Sequence, residues 1–116
     1  VNNSKNHIFV QTNTPYQLME IKNILPENIE KAAGMLKAIA HPVRISIVSC
    51  LEKNQTKTVT EIHKLLGIEQ STASHHLGIL KDKGILGSRR EGKHTYYFLK
   101  HQELTKILEC IGDCCN

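Results

Sequence analysis

The residues with the strongest chemistry in this 116-residue chain are four cysteines: Cys50, Cys110, Cys114 and Cys115. No Cys-x-x-Cys pair occurs, which argues against zinc-finger and dithiol-redox spacings. Cys110 and Cys114 stand i and i+4, on one face of any helix they share. Cys115 joins them if the end of that helix frays, which Gly112 favours. Clustered thiols in a reducing compartment point to metal, metalloid or redox chemistry rather than to structural disulfides. Three thiolates suit a soft, three-coordinate ion such as As(III) or Sb(III). Free thiols titrate near pH ~8.5, so ligation must also drive deprotonation.

A second constellation is polar and basic. Gln70, Ser71, Thr72, Ser74 and His75 sit at the start of a helical pattern. Their short polar side chains suit entry into a DNA groove, where glutamine pairs with adenine and the hydroxyls bond bases or phosphate. His75 and His76 lie about 100° apart on a helix and cannot face one ligand, so His76 turns toward the packed side. Between Lys81 and Lys100 stand six basic residues (Lys81, Lys83, Arg89, Arg90, Lys93, Lys100) against Asp82 and Glu91. That segment carries +4, equal to the formal charge of the whole chain. Arg89, Arg90, Lys93 and His94 are placed to meet the phosphate backbone or minor groove, contacts that position without reading sequence. Such binding weakens steeply with salt.

The elements that must hold these residues are legible in the periodicity. Ile29, Ala32, Ala33, Leu36, Ile39 and Ala40 recur at helical spacing after Pro26. His41-Pro42 ends that helix, and Pro42 suits the first turn of the next, which carries Val43, Ile45, Ile47, Val48 and Leu51. Thr58 and Glu61 form a capping box opening a short helix at Val59–Leu66. Gly67 makes the turn into a reading helix at about Glu69–Lys83, whose Ala73, Leu77 and Leu80 face inward. Strands at Ile85–Arg90 and Thr95–Leu99 enclose a turn at Glu91–His94. A last helix at about Gln102–Cys114 shows an apolar stripe of Leu104, Ile107, Leu108 and Ile111. The order predicts a mostly α fold with a small β-hairpin, a winged helix-turn-helix.

The chain length fits one domain, expected at 26–116 and preceded by a flexible arm or short helix at 1–25. Hydrophobic residues make up 40%. No apolar run approaches the ~18 residues of a membrane span, and the first residues lack a signal-peptide pattern. No Cys–His or Ser–His–Asp arrangement suggests an enzyme.

The segments LKAIAHPVRISIVSCL, STASHHLGILKDKGIL and RREGKHTYYFL resemble the ArsR/SmtB bacterial repressors, over roughly residues 29–115. The resemblance implies a cytoplasmic homodimer paired through its first and last helices. It implies binding to double-stranded operator DNA, with release by a small inorganic inducer and no resident cofactor. It also implies where to look for the sensor. The cysteine pair that some members carry on the first helix of the helix-turn-helix is absent, since Thr60-Glu61-Ile62-His63 stands there, and His63 reads as a surface residue. Some members sense arsenite through cysteines of the last helix, matching Cys110, Cys114 and Cys115. Others hold zinc between the last helices of two subunits, for which His101, Glu103 and Cys114 are the partial match. Others pair a cysteine of the second helix with one of the last and respond to oxidants or persulfide. Cys50 is the candidate there, one residue beyond the usual position.

Overall fold

A computed structural model of the chain describes residues 25–115. The expected arm at 1–25 therefore lies, but for Leu25, outside the described residues. Two compact units divide the chain after Gly34, inside the first helix. Of the first unit, the described part is Leu25 and the opening turns of α1 (Pro26–Ile39). The Leu25 carbonyl accepts bonds from the amides of Asn28 and Ile29 and so starts the helix.

The second unit holds the rest: the end of α1, then α2 (Pro42–Cys50), β1 (Lys57–Thr58), α3 (Val59–Leu66), α4 (Gln70–Asp82), β2 (Leu86–Glu91), β3 (His94–Leu99) and α5 (Leu104–Cys115). Helix α2 begins on Pro42, whose missing N–H costs nothing at that position. His41 caps it in extended conformation, its Nδ1 accepting from the Val43 amide at 3.1 Å. Helix α3 opens with the expected capping box, Thr58 and Glu61 satisfying each other's backbone amides. It closes at Gly67, whose φ of +68° is the left-handed conformation that glycine adopts without strain.

The core joins α2, α3, α4 and the strands. Ile47, Val48 and Leu51 meet Ile62, Leu77, Leu80, Ile85, Leu86 and Leu99, all buried. Each such side chain contributes roughly 1.5–3 kcal/mol when fully removed from water. This packing fixes α3 and α4 as one rigid pair.

The sheet differs from the expected hairpin in two respects. It has three antiparallel strands, ordered β1-β3-β2. Thr58 is extended because a helix N-cap must be, and this lets Lys57 and Thr58 pair with Tyr97 and Tyr96. The turn is also tighter than the four residues expected. Glu91 pairs with His94, leaving Gly92-Lys93 as the loop, and Gly92 has a φ of +63°. A two-residue hairpin matches strand twist only with positive φ, which glycine supplies. Helix α5 starts later than expected, at Leu104, and stays helical through Cys115.

Candidate nucleic-acid interface

Helix α4 presents one face outward and buries the other. Gln70, Ser71, Thr72, Ser74 and His75 are all exposed, while Ala73, Leu77 and Leu80 are buried. Glu69 precedes the helix in extended conformation and makes no side-chain cap. The first amides of α4 thus remain directed outward beside the polar side chains, a donor-rich end suited to phosphate or base edges.

The wing supplies the cations. Arg89, Arg90, Lys93 and His94 are exposed on β2, the turn and the start of β3. Successive strand residues alternate faces, so Arg89 and Arg90 leave opposite sides of the ribbon. The Arg89 guanidinium pairs with the Glu91 carboxylate on its own face. Both side chains are about half exposed, so the pair is worth at most about 1 kcal/mol and yields readily to a phosphate. Arg90 donates to the Gly92 carbonyl at 3.4 Å, holding its head near the turn.

Behind α4, His76 faces the packed side as its position on the helix predicts, and it has a partner there that no local spacing shows. His76 is buried, and its Nδ1 accepts from Nε of Arg44 at 3.0 Å. Arg44 also donates to the Ala38 carbonyl at 3.0 Å. The His41 ring stacks obliquely on His76, with centroids 4.6 Å apart. Burial pushes His76 below the usual histidine range, and repulsion from His41, Arg44 and His75 adds to it. The sequence signal for the partner is Arg44 itself, which interrupts the apolar run Val43-Ile45-Ile47-Val48, where a cation requires a partner. His63, expected at the surface, is half-buried, with Nδ1 3.1 Å from the Ile68 carbonyl across the turn between α3 and α4.

The thiols divide into two kinds. Cys50 is half-buried, packs against the core and donates from Sγ to the Ile47 carbonyl at 3.2 Å. Burial pushes its pKa up, against smaller opposing effects of Lys57 and its own backbone, which makes it a poor thiolate. Cys110, Cys114 and Cys115 are free and exposed on α5. Because α5 does not fray before Cys115, only Cys110 and Cys114 share a face, with Cys115 about 100° further round from Cys114. Among the described residues, no three of His, Cys, Asp or Glu are gathered as a metal site within one chain. That holds for the three thiols and for His101, Glu103 and Cys114.

Helix α5 has a strong apolar stripe, yet none of its residues is buried. The stripe faces an open apolar groove of about 300 Å³ lined by Leu36, Ile39, Ala40, Ile45, Leu104, Ile107, Leu108 and Ile111. Leu36, Ile45, Ile107 and Ile111 stand 39–54% exposed there. No helix among the described residues is long and apolar enough to cross a membrane.

Residues 39–89 match a family described as a helix-turn-helix domain. The chain is similar to an uncharacterised HTH-type transcriptional regulator of Methanocaldococcus jannaschii, MJ1325, at 36% identity over 87 residues, 75% of this chain and 98% of that one. It is 34% identical over 85 residues to the transcriptional repressor PagR of Bacillus anthracis, covering 73% of this chain and 85% of PagR. The crystal structure of PagR matches with a TM-score of 0.66, over 73% of this chain and 97% of that one. A solution structure of the winged helix-turn-helix domain of Mb0332 from Mycobacterium bovis has the same fold. That domain is described as homodimeric and a possible ArsR-family transcriptional regulator. Its TM-score is 0.67 at 23% identity, over 84% of this chain and 90% of its own.

Proposed function

Because the chain belongs to the ArsR/SmtB-type winged helix-turn-helix transcriptional repressors, we propose that it holds its operator as a symmetric dimer and is released through the thiols of α5. The DNA-reading half of this statement rests on the exposed polar start of α4 beside a basic wing. The relatives it matches are regulators, not enzymes.

One observation carries the dimer: α5 is amphipathic, buries none of its residues and borders an apolar groove shared with the end of α1. A second copy applying the same face covers both grooves at once, as a two-fold interface requires. Two reading helices then address half-sites about one DNA turn apart. A DNA-binding repressor works in the cytoplasm, where thiols stay reduced.

The position of the thiols supports their role as sensor. On the helical wheel Cys115 continues the stripe of Leu104, Leu108 and Ile111, and Cys114 lies at its edge. A soft ion such as As(III) or Sb(III) drawn to these thiols therefore acts at the dimer face. Three thiolates do not meet within one chain, so a full set requires the last turn to open or the partner copy to contribute. The coupling is negative: inducer favours a dimer whose reading helices no longer fit successive grooves. Oxidant sensing through Cys50 is disfavoured by its burial and raised pKa. Zinc on His101, Glu103 and Cys114 would need both subunits.

The test is a titration of protein bound to a duplex that it selects from a randomised pool, with As(III), Sb(III), Zn(II) and a persulfide donor added in turn. Release by As(III) or Sb(III), lost in Cys110→Ser/Cys114→Ser, supports the reading. Release by zinc alone moves the site to His101 and Glu103. No response to any of them removes thiol sensing and leaves DNA binding standing.

A further inference from the structure

We propose that Arg44 and His76 are positioning residues for operator binding: Arg44 is a strut that ties the reading helix to the end of α1, and it holds only while the His76 ring is neutral. The proposal rests on α4 being the DNA-reading helix. Its ground is geometry. The guanidinium Nε of Arg44 always carries a proton, because arginine does not titrate in proteins. The His76 Nδ1 that it meets at 3.0 Å must therefore be a lone pair. The same guanidinium donates through its terminal nitrogen to the Ala38 carbonyl at 3.0 Å. One planar fork thus bridges the back of α4 and the last turn of α1, in a geometry that the point charge of lysine does not reproduce. His76 follows His75 on the same helix, about 100° round from it, so a rotation of α4 that breaks the bridge also turns the exposed polar face.

Protonation of His76 sets an N–H against an N–H and places a second cation on Arg44. The charged or titratable groups acting on His76 are Arg44 of α2, His41 at its cap and His75 of α4 itself. The groups of α3 (Glu61, His63, Lys64) and β2 (Arg89, Arg90, Glu91), which also pack on α4, are not among them. All three neighbours oppose the proton, and burial opposes it more. The folded chain therefore takes up this proton less readily than the unfolded one. The strut's contribution is complete above about pH 6.5 and is lost as pH falls below it.

The consequence has an unusual sign. Acidification adds positive charge to a protein, which by itself strengthens binding to phosphates. Loss of the strut weakens binding instead.

The experiment measures affinity for the duplex selected by the wild-type protein, from about pH 8 to about pH 5.5 at fixed ionic strength. Three variants accompany it. His76→Asn keeps an acceptor and cannot titrate, His76→Leu keeps bulk without an acceptor, and Arg44→Lys keeps charge without the fork. Wild type is expected to weaken on acidification, while His76→Asn holds or tightens. His76→Leu and Arg44→Lys are expected to bind about tenfold more weakly at pH 8. Circular dichroism reports whether each variant is folded, and His76→Asn carries the test should His76→Leu not fold. Identical pH trends in wild type and His76→Asn overturn the proposal, as does full affinity in Arg44→Lys. Failure of the wild type to select any duplex would instead overturn the DNA-reading assignment, and the proposal with it.

Discussion

Replacing Ile111 with aspartate is expected to separate dimerisation from folding. Ile111 is 54% exposed in the single chain, and Leu36, Ile107 and Ile45 are 53%, 44% and 39% exposed. Full burial of such a side chain is worth ~2 kcal/mol, so covering the remaining half yields ~1 kcal/mol each. A two-fold interface counts every residue twice, giving ~8 kcal/mol from these four positions. Association costs on the order of 4–15 kcal/mol in lost freedom, so the face supports a dimer with little to spare. Ile111→Asp removes ~1 kcal/mol on each side and buries a carboxylate without a partner, another ~1–3 kcal/mol each. The total is at least ~4 kcal/mol, or about 10³-fold in the dimer dissociation constant. The same position touches no buried core, so the monomer should lose at most ~0.5 kcal/mol. Sedimentation velocity across a concentration series reads the dimer, and thermal unfolding reads the fold. Operator affinity should fall as well, by about 10²–10⁴, because linked half-site binding is lost. A variant that dimerises like the wild type would refute the argument that this groove is the interface.

Other substitutions test the remaining parts. Arg90→Ala should lower the salt dependence of DNA binding by about one unit in the log–log slope and weaken all sequences alike, whereas Gln70→Ala should relax preference at one base pair. Thr58→Ala removes the hydroxyl that accepts from the Glu61 amide, one half of the capping box, and about 1 kcal/mol of stability with it, seen as a melting temperature some 4–8 °C lower. Gly87→Ala places a Cβ 2.6 Å from the Phe98 ring, and the displaced ring should cost ~1–3 kcal/mol in chemical denaturation. Iodoacetamide near pH ~7 should label Cys110 and Cys114 well before Cys50, whose burial disfavours the thiolate. Equal rates by mass spectrometry would return Cys50 to the list of redox candidates.

The local devices were readable because each is written in adjacent residues. Thr58 with Glu61, Pro42 after His41 and Gly67 between two apolar runs all mark helix ends by short-range chemistry. The α4 face was readable for the same reason, since exposure of Gln70, Ser71, Thr72, Ser74 and His75 follows from where Ala73, Leu77 and Leu80 point. Long-range pairings were not. The strand at Lys57–Thr58 is too short to show a period, and it exists because Tyr96 and Tyr97 offer an open edge to a residue already extended as a cap. The Arg44–His76 bond joins positions 32 residues apart, and no spacing rule links them. The thiols fell between these cases. Their shared helix was visible, but the orientation of Cys115 depended on whether that helix continued, and only the structure decides that.

The end of α1 borders both the apolar groove and the Arg44 bridge. Leu36, Ile39 and Ala40 line the groove beneath α5, and the Ala38 carbonyl in the same turn receives Arg44. If the proposed inducer shifts α5 along this groove, it meets the turn that anchors the strut to α4. Spatial continuity alone does not establish coupling. A double-mutant cycle does: if inducer acts through the strut, Arg44→Lys and Cys114→Ser should be strongly non-additive in inducer response. In Arg44→Lys the inducer-free protein should already resemble the released form, so inducer should lower its DNA affinity by less than it lowers that of the wild type. Independent effects of the two substitutions would place the signal in the dimer geometry alone, with α4 carried as a passive rigid body.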